Sequence, residues 1–310
     1  MVDQYLVVDA GPSFTPQRFG LLTAGELPPV QPEGWAHGVQ RMSPDCGPAS
    51  TSVMIPCTGA PITGTPSPTE VASLAADVFR VYAWVPCSPV GWGNDLADLR
   101  RRTEALLTNG EGRAVERVFW SGQTHHGGLV YPHLADDAQL DADPQGAHTV
   151  VRQLAADVQT SGTVDAVEAL ALVEGALGEC YGGEGIIHVP RTALALLDHY
   201  GVARQSGEQI RTLAGNRIAA YSGGLYPGPT GAEPAAGQGW FYGTGMVQVL
   251  RSPIRNLGVS ASEIIGRTDN TTVYVAYRDY SISFDCCLVA AEVTLGGAVS
   301  GAPDSAGSTA

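Results

Sequence analysis

The chain has 310 residues, more than the 100–200 usual for one domain, so one large or two closely joined domains are expected. Its 44% hydrophobic and 15% charged content, with 39 Gly and 21 Pro, is that of a globular protein rich in turns and excludes a disordered chain. The 31 acidic residues outnumber 17 basic ones for a net charge of −14, and every basic residue is Arg; without Lys there is no G-x-x-x-x-G-K-[ST] phosphate loop, no Schiff-base lysine and no Lys-dependent isopeptide bond, and an acidic surface argues against a dedicated nucleic-acid binder.

From Met1 to Pro68 the density of proline forbids long helices and discourages central strands, so this stretch is expected to be an extended arm, lying across its own subunit or reaching onto a neighbour. Asp77 to Val85 alternates as a β-strand, with Val53-Met54-Ile55 as a candidate hairpin partner across a long projecting loop. A long helix is predicted from Asn94, its cap, to Trp120, with Leu96, Leu99, Leu106, Leu107, Val115, Val118 and Phe119 as apolar positions. Gly110 and Gly112 are expected to kink or split it. The run Arg100-Arg101-Arg102, close to Asp95, Asp98 and Glu104, reads as a salt-bridged solvated face or as a contact with a partner or packaged nucleic acid.

Residues Gly122 to Ala147 form a polar, His- and Asp-rich loop. Helix is predicted from Val164 to Gly178, followed by a glycine hinge, a strand from Ile186 to Val189, Pro190 in the first turn of a helix, and that helix from Arg191 to Tyr200. Ile210 to Tyr221 and Trp240 to Val249 read as strands flanking a Gly/Pro-rich loop, and Val273 to Tyr280 with Ile282 to Val293 should close a sheet. The tail from Gly296 is small, polar and expected to be disordered.

Candidate chemistry is sparse. His125, His126, His133, Asp136, Asp137 and His148 carry good metal-ligand groups, but no H-E-x-x-H spacing fixes them on a rigid element, so a polar loop is favoured over a metal site. His188 reads as a strand residue with a satisfied ring, and no serine has the G-x-S-x-G context. The glycine-rich Ser222 to Gly231 segment offers backbone N–H groups to an anion but has no following helix, and neither Asp95/Asp98 nor Asp136/Asp137 is placed across a cleft. The six cysteines, Cys46, Cys57, Cys87, Cys180, Cys286 and Cys287, show no C-x-x-C spacing; with no secretory leader, they are expected to be buried thiols in a reduced, cytoplasmic setting. No apolar run approaches the ~20 residues that cross a bilayer. No catalytic, cofactor-binding or metal-ligating residue is assigned, and no cofactor is expected.

The order of these elements resembles the major capsid protein fold of tailed bacteriophages, shared with encapsulins: an α+β fold with N-terminal arm, projecting β-hairpin loop, peripheral domain with a spine helix, and axial domain. The resemblance implies an arm over 1–48, the projecting loop over 49–92, a peripheral domain over 93–163, an axial domain over 164–250 that includes Gly185 to Ala193 entering a helix, return strands of the peripheral domain over 251–295, and a flexible tail over 296–310. It further implies a structural protein, not an enzyme: a virion subunit assembled in the bacterial host cytoplasm, whose pentamers and hexamers enclose double-stranded DNA without sequence-specific binding and without a membrane. Scaffold, portal and decoration proteins are the further partners it implies. The sequence departs from the family in the Gly110/Gly112 interruption, in lacking Lys for the family's Lys–Asn cross-link, and in showing no charged scaffolding segment before the arm. Deleting Met1 to Pro32 is expected to leave a folded subunit that no longer assembles. The alternatives are an encapsulin-like compartment or another virion protein, and a cytoplasmic metal-dependent enzyme using the His125–His148 region.

Overall fold

The computed structural model describes residues 18–28, 39–42, 73–87, 96–135, 151–153, 164–222, 227–257, 265–266, 271–284 and 287–296. They build an α+β molecule from two main sheets, a long helix and a two-stranded ribbon. The ribbon pairs β1 (Val39–Met42) with β2 (Ser73–Ala76) in antiparallel register, Val39 opposite Ala76. It therefore begins within the span assigned to the arm. Val53 to Ile55 lies outside the described residues, and the strand expected to pair with it, β3 (Val78–Cys87), runs along β14 (Thr271–Phe284) from Ser281↔Val78 to Thr272↔Cys87.

A smaller, five-stranded sheet is organised on β14: β3 lies on one side, and β11 (Val247–Arg251), β12 (Arg255–Leu257) and β13 (Ile265–Gly266) lie along the other. Against it packs one continuous helix, α2 (Leu96–Ser121), which follows the short α1 (Leu21–Ala24) in the chain. The predicted break at Gly110/Gly112 does not occur. Leu99, Thr103, Leu107, Glu111 and Val115 recur every four residues and are all buried, and burial of that stripe outweighs the roughly 1 kcal/mol that each interior glycine costs. Gly112 also leaves room for Leu22, whose Cδ1 lies 3.8 Å from where a Cβ would stand.

The larger sheet runs β4 (Val151–Gln153), β15 (Leu288–Thr294), β10 (Gln238–Thr244), β6 (Ile186–Pro190), β9 (Arg217–Tyr221), β8 (Gln209–Thr212), β7 (Ala203–Ser206), with β5 (Val164–Asp165) also on β15. Helix α3 (Ala166–Cys180) starts where the Asp165 carboxylate accepts the Val167 and Glu168 N–H groups at 2.9 and 2.8 Å, and lays Ala169, Leu170, Val173 and Leu177 on the sheet. Close approach needs Gly243, where a Cβ would stand 2.6 Å from Val173 Cγ1. Pro190 closes β6 opposite Tyr221 instead of opening a helix, and α4 (Ala193–His199) begins three residues later.

Two predicted strands each divide between the sheets. The Trp240–Val249 stretch becomes β10 in the larger sheet and β11 in the smaller, and the 273–293 stretch becomes β14 in the smaller and β15 in the larger. On either side of residue 250, β11 pairs with β14 in the smaller sheet, and β15 is the neighbour of β10 in the larger one.

His188, fully buried in β6, shows how the larger sheet satisfies a polar core residue. Its Nδ1 lies 2.8 Å from the Tyr221 hydroxyl and its Nε2 lies 2.8 Å from Thr244 Oγ1, while the Thr244 hydroxyl donates to the Gly245 carbonyl at 2.8 Å. That leaves Thr244 Oγ1 as acceptor, so Nε2 carries the ring proton and Nδ1 accepts from Tyr221. Burial pushes the imidazole down to about 3 from its ordinary 6.5. Cys287, expected as a free thiol, is disulfide-bonded.

Two outcomes follow from these core groups. Because His188 is held neutral, its contribution is complete above pH 6.5 and is lost as pH falls toward about 3; urea melts should lose several kcal/mol over that window, and a His188→Gln variant should lose less. Thiol titration of the denatured, unreduced protein should find at most four of the six cysteines free, since one disulfide consumes two.

Candidate functional site

The first candidate surface is a seam where residues 18–28 cross both sheets. Phe19 adopts a left-handed φ of 68°, which turns its carbonyl to accept the Ala220 N–H at 2.7 Å and sets Gly20 against α2. A Cβ on Gly20 would overlap Glu116 Oε1, so a larger residue there must displace the carboxylate. Glu116 is buried, and its two oxygens accept the Leu21 N–H at 3.2 Å and the Ser222 N–H at 3.1 Å, joining arm, long helix and larger sheet through one carboxylate. Burial pushes its carboxyl upward, against the opposing pull of the two backbone amides and the Arg191 charge. Further along, Arg191 donates to the Arg18 carbonyl at 3.1 Å and Arg217 to the Ala24 carbonyl at 3.1 Å. Glu26 then exchanges bonds with the smaller sheet, to Val247 O at 2.8 Å and from Val249 N at 2.9 Å.

Leu21 and Ala24 are buried in the subunit's own core. A Met1–Pro32 deletion would remove these core residues and the seam bonds, so a loss of stability is expected beside the effect on assembly anticipated from the sequence.

The long helix carries a second polar anchor. Arg278 donates to both oxygens of the buried Glu111 at 2.9 and 3.0 Å, and the Tyr280 hydroxyl donates to Oε2 at 2.7 Å. Burial and the neighbouring Glu111 charge push the Tyr280 phenol upward. Neither Glu111 nor Glu116 was marked by sequence reasoning, although Glu111 occupies a stripe position where an apolar residue is expected.

The second surface is a groove of about 630 Å³ between the outer edge of β3 and α2. Phe79 and Val81 point inward, while Arg80, Tyr82 and Trp84 point out, with Trp84 55% and Leu106 51% exposed. Arg80 pairs with Asp279 at 2.7 Å and lies 4.0 Å from the centre of the Tyr277 ring. Arg113 and Arg117, one helical turn apart and exposed, line the opposite wall.

The histidine-rich loop does not converge. His125 and His126 stand edge to face at 5.1 Å, and His126 Nε2 lies 2.8 Å from the Tyr82 hydroxyl. His133 is buried and bonds the Val130 carbonyl through Nδ1 at 2.8 Å, while Asp136, Asp137 and His148 lie outside the described residues. Among the described residues, no three His, Cys, Asp or Glu side chains group as metal ligands, and no helix is long and apolar enough to cross a membrane. Ser222 serves the seam; residues 223–226 lie outside the described residues. Arg100 pairs with Glu104 at 2.8 Å, and Arg101 and Arg102 both pair with Asp98 at 2.7 Å, a salt-bridged helix face; Asp95 lies outside the described residues.

No protein-family model matches the chain, and no curated protein matches it either. Solved structures do. The capsid of a native GTA particle, computed with C5 symmetry, matches with a TM-score of 0.51 at 12% identity, covering 93% of this chain and 95% of that one. The capsid asymmetric unit of cyanophage Pam1 gives 0.49 at 11% identity over 96% and 98%, and the holo-SrpI encapsulin complex of Synechococcus elongatus gives 0.46 at 11% over 95% and 92%. The chain has the α+β capsid-type fold.

The seam supplies a direct test. Glu116→Ala should strand the Leu21 and Ser222 N–H groups and cost roughly 2–5 kcal/mol, and Gly20→Ala should cost roughly 1–3 kcal/mol by overpacking. Because both act on one contact, the double variant measured by urea denaturation should lose less than the sum of the two.

Proposed function

We propose that this chain is a shell subunit, the major capsid protein of a tailed bacteriophage, whose pentamers and hexamers close into an icosahedral head around double-stranded DNA. The observation that carries this reading is the match in fold, over nearly the full length of both chains, to the capsid of the native GTA particle. A shell subunit needs large contacts between copies that close, and needs no reactive centre. A proline-rich N-terminal stretch, a two-stranded ribbon and a sheet edge that no strand among the described residues pairs suit that role. Its acidity is compatible with enclosing DNA without binding it by sequence, because counterions neutralise the packaged phosphates. In this reading the subunit belongs to the virion and is assembled in the host cytoplasm with scaffold, portal and decoration proteins. In this reading it is not an enzyme, and the metal-dependent alternative has no support from the described part of the His125–His148 region, where His133 bonds the Val130 carbonyl and no three His, Cys, Asp or Glu side chains group as metal ligands.

Electron microscopy of the purified full-length protein, paired with light-scattering mass, tests this. Closed polyhedral particles, or rings of five and six subunits, are expected. A compact monomer at high concentration, with and without co-expressed neighbouring phage genes, would sink the shell reading. Particles loaded with a protein instead of DNA would move it to the encapsulin-like alternative.

A further inference from the structure

We infer that Cys287 is bonded to Cys180 and that this disulfide is a redox latch, open as two thiols while the chain is made in a reducing cytoplasm and closed once it meets oxidising surroundings. The pairing stands on the fold alone; the timing rests on the shell-subunit reading above. Cys287 is buried and disulfide-bonded in a chain without C-x-x-C spacing, so its partner comes from elsewhere in the fold. Helix α3 and strand β15 share both ends. Asp165, which caps α3, pairs with Thr294, and from there the helix runs back along β15. The 15 residues of α3 cover about 22 Å at ~1.5 Å each, and the path from Thr294 back to Cys287 covers about 23 Å at ~3.3 Å per residue. Leu177 fixes the level: its Cδ1 lies 2.9 Å from where a Cβ on Gly243 would stand, and Gly243 is opposite Val289. Position 180 follows Val173 and Leu177 at helical spacing on the stripe that faces the sheet. The last residue of α3 therefore falls level with Cys287, whose carbonyl accepts the Gly245 N–H at 3.3 Å.

Two other cysteines do not fit. The Cα atoms of a disulfide usually stand about 4.4–6.8 Å apart, and those of the sequence neighbours Cys286 and Cys287 only ~3.8 Å. Cys87 is opposite Thr272, a strand length of roughly 40 Å from the Phe284 end of β14 that leads to Cys287. Cys46 and Cys57 lie outside the described residues. The end of α3 is also where a latch can act. Gly175 and Gly178 are exposed and weaken its last turns, and Gly182 leaves the helix at a φ of 68°. Local opening there admits a small oxidant to a pair otherwise sealed in the core. The oxidant is a low-molecular-weight disulfide such as oxidised glutathione: one thiolate attacks it to form a mixed disulfide and the second displaces the small thiol, so one S–S bond forms, one breaks and two small thiols leave. In a cytoplasm rich in reduced thiols the exchange runs the other way. Once closed, the bond ties the weak helix end to β15 and removes a loop of roughly 100 residues from the freedom of the unfolded chain.

Peptide mapping of the full-length protein tests the pairing, after equilibration with oxidised glutathione, denaturation in N-ethylmaleimide and digestion without reduction. A linked peptide pair carrying Cys180 and Cys287 is expected, with fragmentation separating Cys287 from Cys286. Cys287 joined to any other cysteine, or alkylated as a free thiol, would overturn the inference. Dithiothreitol should lower the thermal midpoint of the wild type by roughly 5–10 °C and leave that of Cys180→Ser unmoved. No shift in the wild type, or an equal shift in the variant, would count against the latch. For the timing, cells producing the chain are quenched with N-ethylmaleimide before lysis. Both cysteines should be alkylated there and become linked when oxidised glutathione is added to an unquenched lysate, whereas a pair already linked in quenched cells would overturn the timing. Mapping needs no particles: a linked pair without shells would remove the shell reading and the timing built on it but keep the pairing, and normal shells with Cys287 free would remove the latch alone.

Discussion

Trp120 sits where the long helix meets the larger sheet, and the relation between the two halves of the molecule depends on it. Its ring is fully buried, edge to face with Tyr221 at 4.9 Å and Tyr242 at 5.1 Å. Its Nε1 and the Tyr242 hydroxyl both donate to the Pro227 carbonyl, at 2.9 and 3.2 Å, so an apolar contact of large area also has a fixed orientation. The same core continues through Phe119 and Phe284 to β14, which makes the helix the shared wall of both sheets.

Around that contact the chain crosses between the sheets along neighbouring paths: β10 leads into β11, and β14 leads back into β15, which pairs with β10. The seam at residues 18–28 adds a third tie, bonded to Ala220 on one sheet and to Val247 and Val249 on the other. Both polar anchors of the helix, Glu111 and Glu116, lie at these crossings and not in a solvent-filled cleft. Their environment explains why buried carboxylates here point to architecture: every oxygen is taken by a guanidinium, a phenol or a backbone amide of the same chain.

Much of this was legible in the amino-acid pattern, and the misses have common causes. Alternation revealed β3 and β14 and the apolar stripe revealed α2, because burial on one face imposes a period that survives in the sequence. The helix break was misjudged because local propensity at Gly110 and Gly112 is worth less than the packing of the surrounding stripe and the Glu111 anchor. Where strands leave one sheet for the other was invisible, since alternation reports that a segment is extended and half-buried, not which neighbour it pairs with. The seam was hidden for a similar reason. Only the tertiary structure explains a glycine at position 20 facing a carboxylate 96 positions later.

The pairing of β3 with β14 also dictates the order in which the molecule can come into being. Arg80 and its partner Asp279 are 199 residues apart in sequence, and β3 can gain its central neighbour only after most of the chain has left the ribosome. At 5–20 residues per second, that is a wait of roughly 10–40 s during which β3 has both edges unpaired and the long helix lacks the sheet beneath it. A chain that ends before β14 therefore never acquires the smaller sheet, so the sheet closes only as synthesis nears its end.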